Sequence, residues 1–381
     1  MRIGIDARFF GPQEKGLGVY VQKLVEGLEK NSNETDHQFF IFLKKERFQD
    51  FKPQKKNFHK VLADYPWYGW REQFVYPFFL NKYKLDLMHF GHFNVPILYR
   101  RKMVVTIHDL ILFHFPTFKN STLNRFYYSL KLLAYRIVIN LAVRKALVII
   151  AISEFTKKDL VETLNVPGNK IKVIYQGCNL LGQKADQKSE TILKKYGIIK
   201  PYILYVGNAY PHKNLKRLSQ VFSSFKKKNP GVSLVLAGGR DYFYQRLEEK
   251  AQKENLKGII FPGFIDESDL VTIYQESESV VFPSLYEGFG FPPLEALVCE
   301  KSVACSKKTS MPEILKGTVS YFDPESSSSM LNCLNKVFRL RKNKRSQNQK
   351  KAAAEIIKKF NWDKTAQETL RIYESVSKSK K

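Results

Sequence analysis

The chain has 381 residues, which at roughly 150 residues per domain excludes a single small module and fits two domains or slightly more. Hydrophobic residues make up 44% and aromatics 14%, with 20 Gly and 16 Pro, an ordinary globular composition that excludes disorder and fibres. Lys plus Arg number 63 against 36 Asp plus Glu, a net charge of +27; such a field attracts anionic lipid, nucleic acid or phosphorylated substrates, although a Lys-rich composition also arises from genome bias.

Strand-like apolar runs alternate with longer amphipathic stretches from end to end, which predicts repeated βαβ units and a parallel sheet, hence an α/β protein. The first strand is Ile3 to Asp6. Gly16-Leu-Gly18-Val-Tyr20 then leads into a helix over Gly18 to Lys30; a bare Gly-x-Gly at such a place is by itself only a turn. Strands follow at Phe39 to Leu43, Leu87 to Phe90, Met103 to Ile107, Ala146 to Ile152 and Ile171 to Tyr175. Helical periodicity covers Leu123 to Arg144 and Glu154 to Leu164. His108 closes the strand in Val104-Val-Thr-Ile-His108-Asp109. Strand ends of that kind project into a ligand crevice, although a lone histidine there is more often structural. His89 and His92 have no third ligand at hand for a metal.

Asn179 to Lys200 loses apolar periodicity, so an interdomain linker is expected there. Strands resume at Tyr202 to Val206, Ser233 to Ala237, Ile259 to Pro262, Val280 to Pro283 and Ser302 to Ala304, each followed by a helical candidate, and the serines at 326 to 329 suit a helix start. Two successive Rossmann-like domains, residues 1–180 and 201–360, would form a cleft at the carboxyl ends of their sheets.

Two segments of the second half carry chemistry. Gly207-Asn208-Ala-Tyr-Pro-His212-Lys213-Asn214 follows a strand and opens a helix; a cation beside helix amides is what a diphosphate needs, and otherwise Lys213 is a surface residue. Glu287-Gly288-Phe289-Gly290-Phe-Pro-Pro-Leu-Glu295 sets two carboxylates eight residues apart across a glycine loop. Each carboxylate can accept two hydroxyl hydrogen bonds, as a sugar or ribose diol requires. Loop amides at Gly288 and Gly290 can meet an anion. Helix capping by Glu295 beside a solvated Glu287 is the plainer alternative.

Four cysteines, Cys178, Cys299, Cys305 and Cys333, form no C-x-x-C pair, as in a reduced cytosolic protein. The longest stretch free of Asp, Glu, Lys and Arg is 13 residues, Leu87 to Tyr99, short of the roughly 20 that span a membrane. The opening Met1-Arg-Ile-Gly-Ile-Asp6 runs into a strand and lacks a leader's apolar core. A cytoplasmic location is expected.

In this order along the chain, the Gly16/Gly18 helix start, His108-Asp109, Ala151-Ile-Ser153-Glu-Phe-Thr-Lys, Val173-Ile-Tyr-Gln-Gly177, Gly207 to Asn214 and Glu287-x7-Glu295 resemble the glycosyltransferase family 4 enzymes. The resemblance implies the two-domain GT-B fold, with Asn361-Trp-Asp-Lys-Thr-Ala366 opening a terminal helix (361–381) that crosses back to the first domain. It implies a retaining transferase that takes a sugar from a nucleotide-diphosphate donor. Glu287 would bond sugar hydroxyls, Glu295 the ribose, and Lys213 the departing diphosphate. Amides near Gly16 and Gly18 would close over that group, with His108 beside the sugar. No cofactor or metal is implied, and no Asp-x-Asp occurs.

Asn208 and His212 stand where the family often has an arginine, which leaves the second phosphate-binding cation open. Arg240, in Ala237-Gly-Gly-Arg240, is a substitute or a solvated surface residue. Ser284-Leu-Tyr-Glu-Gly-Phe-Gly-Phe-Pro is similar to the branch rich in bacterial mannosyl- and rhamnosyltransferases of envelope polysaccharides, which implies a lean to GDP-mannose and a glycan or lipid-linked acceptor. Within Leu123 to Arg144, Arg125, Lys131, Arg136 and Arg144 are interleaved with Phe126, Tyr127, Leu130, Leu133, Tyr135 and Ile137, as in a helix resting on anionic lipid at the inner face of a membrane or in a core helix with a basic face. Other readings are a rhamnosyl- or glucosyltransferase, a sugar-nucleotide epimerase of the same fold, and a non-catalytic polyanion binder; no nucleic-acid-binding signature is present.

Overall fold

The computed structural model describes residues 1–32, 36–116, 125–178, 189–340 and 347–378. One sheet contains β1 (Arg2–Asp6), β2 (Gln38–Leu43), β3 (Phe58–Leu62), β4 (Leu87–Phe90), β5 (Met103–Ile107), β6 (Val148–Ala151) and β7 (Ile171–Val173), in the order β3-β2-β1-β4-β5-β6-β7. The other contains β8 (Tyr202–Val206), β9 (Ser233–Ala237), β10 (Ile259–Gly263), β11 (Ser279–Phe282), β12 (Val303–Ser306) and β13 (Ser320–Phe322), in the order β10-β9-β8-β11-β12-β13. All pairings in both sheets are parallel.

Covered on both faces, the inner strands β5 and β9 are buried throughout, which is why they read as unbroken apolar runs. The chain order reverses between β1 and β4 in one sheet and between β8 and β11 in the other. Ligands bind at such switch points, beyond the carboxyl ends of the strands.

The chain divides into two compact units, each range being taken over its described residues. One holds Met1–Leu110, Asn120–Gly177 and Phe360–Lys381; the other holds Ile111–Lys119 and Cys178–Lys359. The C-terminal helix, Trp362–Lys378, therefore belongs with the first sheet, as expected. It packs on the helix Lys15–Asn31, where glycine permits close approach: a Cβ on Gly27 would stand 2.8 Å from the Ala366 Cβ. Thr365 Oγ1 donates to the Tyr175 carbonyl (2.8 Å). Leu370, Ile372, Tyr373 and Val376 are buried, worth roughly 1.5–3 kcal/mol for each large apolar side chain.

Three features differ from the sequence expectations. Strands β3 and β13 are additional. Both lie at sheet edges, where few side chains are buried, only Phe58 and Val61 in β3, so the apolar signal is thin. The expected linker contains a helix, Ser189–Lys195. It is held by buried Leu193 and by Lys195 against Asp266 (3.1 Å) and Asp269 (2.7 Å), partners that local periodicity cannot show; residues 179–188 lie outside the described residues. The first helix begins at Lys15, so Gly16 and Gly18 sit in its opening turn rather than in a loop before it. There a Cβ on Gly18 would stand 1.9 Å from the Gly11 carbonyl oxygen.

Candidate functional site

At the end of β8, Gly207 takes φ 149°, and a Cβ on Gly238 would lie 2.0 Å from the Gly207 carbonyl oxygen, so two loops meet backbone to backbone. Tyr205 Oη donates to the Asn208 carbonyl (2.7 Å) and Tyr244 Oη to the Gly207 carbonyl (2.9 Å). The turn Pro211–Lys213 ends at Asn214 in the left-handed region (φ 59°). Asn214 Nδ2 donates to the carbonyls of Pro283 (3.2 Å) and Pro324 (2.9 Å), which fastens this turn to the chain leaving β11.

That fastening brings Lys213 onto Glu287. Nζ stands 2.5 Å from Oε1, with the two side chains 12% and 9% exposed, and 5.5 Å from the centre of the Phe282 ring. The Glu287 backbone is fixed on both sides: its N–H donates to Thr309 Oγ1 (3.1 Å) and its carbonyl accepts from Ser310 Oγ (2.9 Å). A pair this dry balances two desolvated charges, and removing either partner strands the other at a cost of about 3–5 kcal/mol. Each member suits a different ligand group. A phosphate can compete for the ammonium and sugar hydroxyls for the carboxylate. Next to it, burial and then the charge of Lys213 push the His212 imidazole down to about 4, so it is neutral at pH 7. The short helix Ile111–His114, which groups with this unit, lays the His114 ring against Tyr286 (5.1 Å between centroids).

Glu295 lies on the helix Phe291–Val298, which Gly290 (φ 91°) starts and Pro292 and Pro293 carry through its first turn, where missing N–H groups cost nothing. Tyr274 Oη donates to Glu295 Oε2 (2.8 Å). Burial raises the Glu295 carboxyl to about 6, with the Tyr274 bond pulling down and the Glu267 charge pushing up. Between the two glutamates, Gly288, Phe289 and Gly290 form the loop; the Phe289 ring is buried, and Ser310 Oγ reaches its carbonyl (3.4 Å). Arg240 is engaged elsewhere: its guanidinium is 61% exposed and pairs with Glu248 (3.0 Å).

In the first unit, His108 is clamped by two hydrogen bonds that define its tautomer. A carbonyl can only accept, so Nε2 carries the proton and donates to Gly91 (2.9 Å), while Gln176 Nε2 donates to Nδ1 (2.9 Å). The Tyr20 ring meets it edge-on at 4.7 Å. Burial holds its pKa down to about 4. Behind it runs a buried chain in which Tyr20 Oη and His89 Nε2 both reach Thr106 Oγ1 (2.9 and 2.8 Å) and His89 Nδ1 reaches Tyr373 Oη (2.6 Å). Both ring nitrogens of His89 are therefore occupied by hydroxyls. Among the described residues no three His, Cys, Asp or Glu side chains gather as a metal site.

The structure thus joins Lys213 with Glu287, sets Glu295 on the helix that follows, and seats His108, Gly16 and Gly18 in the other unit. Gln176, Tyr274, Thr309 and Ser310 were not identified from the sequence as site residues. Gln176 lies inside the stretch Val173-Ile-Tyr-Gln-Gly177, the one signal of it that the sequence carries.

Two parallel-sheet α/β units of this topology, with a lysine–carboxylate pair at the switch point of the second, define a protein of the GT-B class. The description Glycosyltransferase Family 4 matches residues 15–180 and Glycosyl transferases group 1 matches residues 188–356; the chain belongs to this glycosyltransferase family. It is 28% identical over 249 residues to O-antigen chain mannosyltransferase B of Escherichia coli, covering 64% of this chain and 63% of that protein. It is 26% identical over 250 residues to O-antigen chain mannosyltransferase RfbU of Salmonella typhimurium, covering 65% and 64%. The matched region thus spans a little under two thirds of each relative. The solved structure of Anabaena Alr3699/HepE in complex with UDP and glucose superimposes with a TM-score of 0.73 at 17% identity, covering 98% of this chain and 100% of that one.

Proposed function

We propose that this chain is a metal-independent, retaining hexosyltransferase that moves mannose from GDP-mannose to a glycan or lipid-linked acceptor in the synthesis of a cell-surface polysaccharide. The observation that carries this reading is the dry Lys213–Glu287 pair, a cation for a leaving diphosphate held against a carboxylate for sugar hydroxyls. The mannosyltransferase relatives support the sugar.

In this reaction the bond between the anomeric carbon and the diphosphate oxygen breaks as the bond to the acceptor oxygen forms on the same face. The acceptor's proton passes to the departing phosphate. Negative charge grows on the diphosphate and positive charge on the sugar, so a fixed ammonium and fixed amides lower the barrier most. Glu295 accepts from the ribose hydroxyls, and His108, its two ring nitrogens held by Gly91 and Gln176, lies beside the sugar as a neutral wall that adds no charge.

Thermal-shift titration with GDP, UDP, ADP and dTDP is the test. GDP should give the largest stabilisation; a larger response to UDP, the nucleotide bound in the HepE structure, overturns the mannose assignment, and no response to any of the four overturns the donor reading.

The helix Arg125–Lys145 supports a membrane-facing acceptor side. Leu130, Leu133 and Ile137 are exposed at helical spacing, with Lys131 and Arg136 exposed beside them, so an apolar stripe lies among cations. No helix among the described residues is long and apolar enough to cross a membrane. The expected location is the inner membrane surface. Failure to pellet with anionic vesicles at low salt overturns that part alone.

A further inference from the structure

The second unit contains another concavity, a cavity of about 700 Å³ between the helices Leu215–Lys228 and Tyr242–Lys253. None of Lys213, Glu287, Glu295 or Gly207 lines it. The two helices aim cations into it. Lys216 and Arg217 stand in the first turn of one, and Arg246, Lys250 and Lys253 recur on the other at intervals of four and three, which puts them on one face. Five cations thus meet only two carboxylates, Glu249 and Glu254. One wall is aromatic, with Tyr210 set edge-on against Phe243 (4.9 Å).

The arrangement of these charges separates the cavity from a merely solvated basic face. Lys250 pairs with Glu254 (3.1 Å), and Glu254 also accepts from Gln220 Nε2 (3.4 Å). On its other side Lys250 comes within hydrogen-bonding reach of the Lys216 ammonium, and that like charge holds the Lys216 pKa down. Two ammonium groups thus face one another with Glu254 paired to Lys250 alone, an arrangement an incoming anion relieves. Arg246 gives one N–H to Tyr242 Oη (2.6 Å) and Arg217 one to the Pro324 carbonyl (2.8 Å); each guanidinium has five donors in all. The volume far exceeds a bare phosphate and falls within the roughly 300–1,000 Å³ of small-molecule sites.

We propose that the cavity between these two helices is a second binding site of this chain, which takes a phosphate group carried on a larger molecule. Lys216, Arg246 and Lys250 hold the phosphate, and the Tyr210–Phe243 wall receives the apolar part of its carrier. A soluble phosphate ester and a phospholipid headgroup present the same group, so the test has an arm for each.

Inorganic pyrophosphate is titrated calorimetrically into the full chain and into the K216Q/R246Q/K250Q variant. A control, K227Q/K228Q/K257Q, loses the same charge from exposed positions outside the cavity, and Lys213→Gln removes the cation of the Lys213–Glu287 site. Flotation with phosphatidylglycerol-containing vesicles against pure phosphatidylcholine supplies the lipid arm, and melting curves confirm that every variant is folded. The expected result is at least about tenfold weaker binding in one or both arms for the cavity variant, the loss from removing charge-assisted hydrogen bonds, with the control near wild type. Loss of pyrophosphate alone identifies a soluble phosphate, and loss of vesicles a headgroup. Pyrophosphate binding that disappears only with Lys213→Gln while vesicle binding is unchanged in the cavity variant, or an equal loss in the control, overturns the proposal. Because Lys213 is tested separately, this outcome is distinct from failure of the donor reading.

Discussion

The two units prepare for ligands in opposite electrostatic ways. In the second, Lys213 and Glu287 are both charged and neutralise each other in a nearly dry place. In the first, His108 is kept neutral by burial and is clamped between the Gly91 carbonyl and the Gln176 amide. The difference follows from what each must meet under the proposed reaction. A departing diphosphate needs full charge, which is stable in so dry a place only if a counter-charge is at hand. A neutral sugar needs no counter-charge, and a ring held neutral with both nitrogens occupied presents none. Substitutions at Glu287, at Gln176, at Glu295 with its partner Tyr274, and at Arg240 test this contrast, in order of decreasing effect.

Glu287→Gln breaks the charged side of the comparison. It keeps the shape but removes the charge, so Lys213 is released and the acceptor for sugar hydroxyls is weakened. Transfer should fall about 10²–10³-fold, the scale for losing one preorganised polar contact. Calorimetric affinity for the nucleoside diphosphate alone should hold or rise, because Lys213 no longer has a competitor. A transfer rate within tenfold of wild type would contradict the role given to this carboxylate.

The neutral side is broken at Gln176. Gln176→Leu leaves the His108 Nδ1 lone pair buried without a donor, at about 1–3 kcal/mol, and should lower kcat by roughly ten- to a hundredfold, the range that energy corresponds to. Gln176→Glu is the sharper probe. A carboxylate accepts rather than donates, so it favours a proton on Nδ1 and reverses the tautomer, and it raises the His108 pKa above about 4. Nitrogen-15 shifts of the His108 ring report both changes directly. Unchanged shifts in Gln176→Glu would mean that Gln176 does not set the ring.

Legibility in the sequence follows the same contrast between local and distant causes. Strands β8 and β9 were readable to the residue because their side chains are inward-facing and apolar, whereas edge strand β3 shows only Phe58 and Val61 to the core. Lys213 and Glu287 each stood in a recognisable motif, yet their contact spans 74 residues and depends on Asn214 bridging to the Pro283 carbonyl. Tyr274 and Gln176 act only through tertiary placement. A tyrosine in a helix carries no periodic signal, and Gln176 is marked only by its place in Val173-Ile-Tyr-Gln-Gly177, which says nothing of its contact with His108.

Glu295 should give a smaller, pH-dependent effect of a few-fold. Its native carboxyl titrates near 6 against an ordinary value of 4.5, so between those values the folded chain binds more protons than the unfolded one. Its contribution to stability is therefore fully present below about 4.5 and is lost as pH rises to about 6. In the role proposed for Glu295, ribose binding runs the other way, since only the carboxylate accepts from both hydroxyls, and nucleotide affinity should decline as pH falls through about 6. Tyr274→Phe removes the bond that pulls this carboxyl down and should shift the decline to higher pH; Glu295→Gln should abolish it. A decline that persists unchanged in Glu295→Gln would assign it to another group.

The smallest effect is expected at Arg240, which distinguishes a site cation from a surface one. Its sequence position after β9 suited a phosphate contact, but its guanidinium is largely exposed and engaged by Glu248, and exposed ion pairs of this kind contribute about 0–1 kcal/mol. Arg240→Ala should change the melting temperature little and leave nucleoside-diphosphate affinity within about twofold, since one kcal/mol is already a factor of about five. Isothermal titration against Lys213→Ala on the same nucleotide makes the comparison direct. A loss at Arg240 as large as that at Lys213 would require the guanidinium to leave Glu248 on binding, and would supply the second phosphate-binding cation that Asn208 and His212 do not provide.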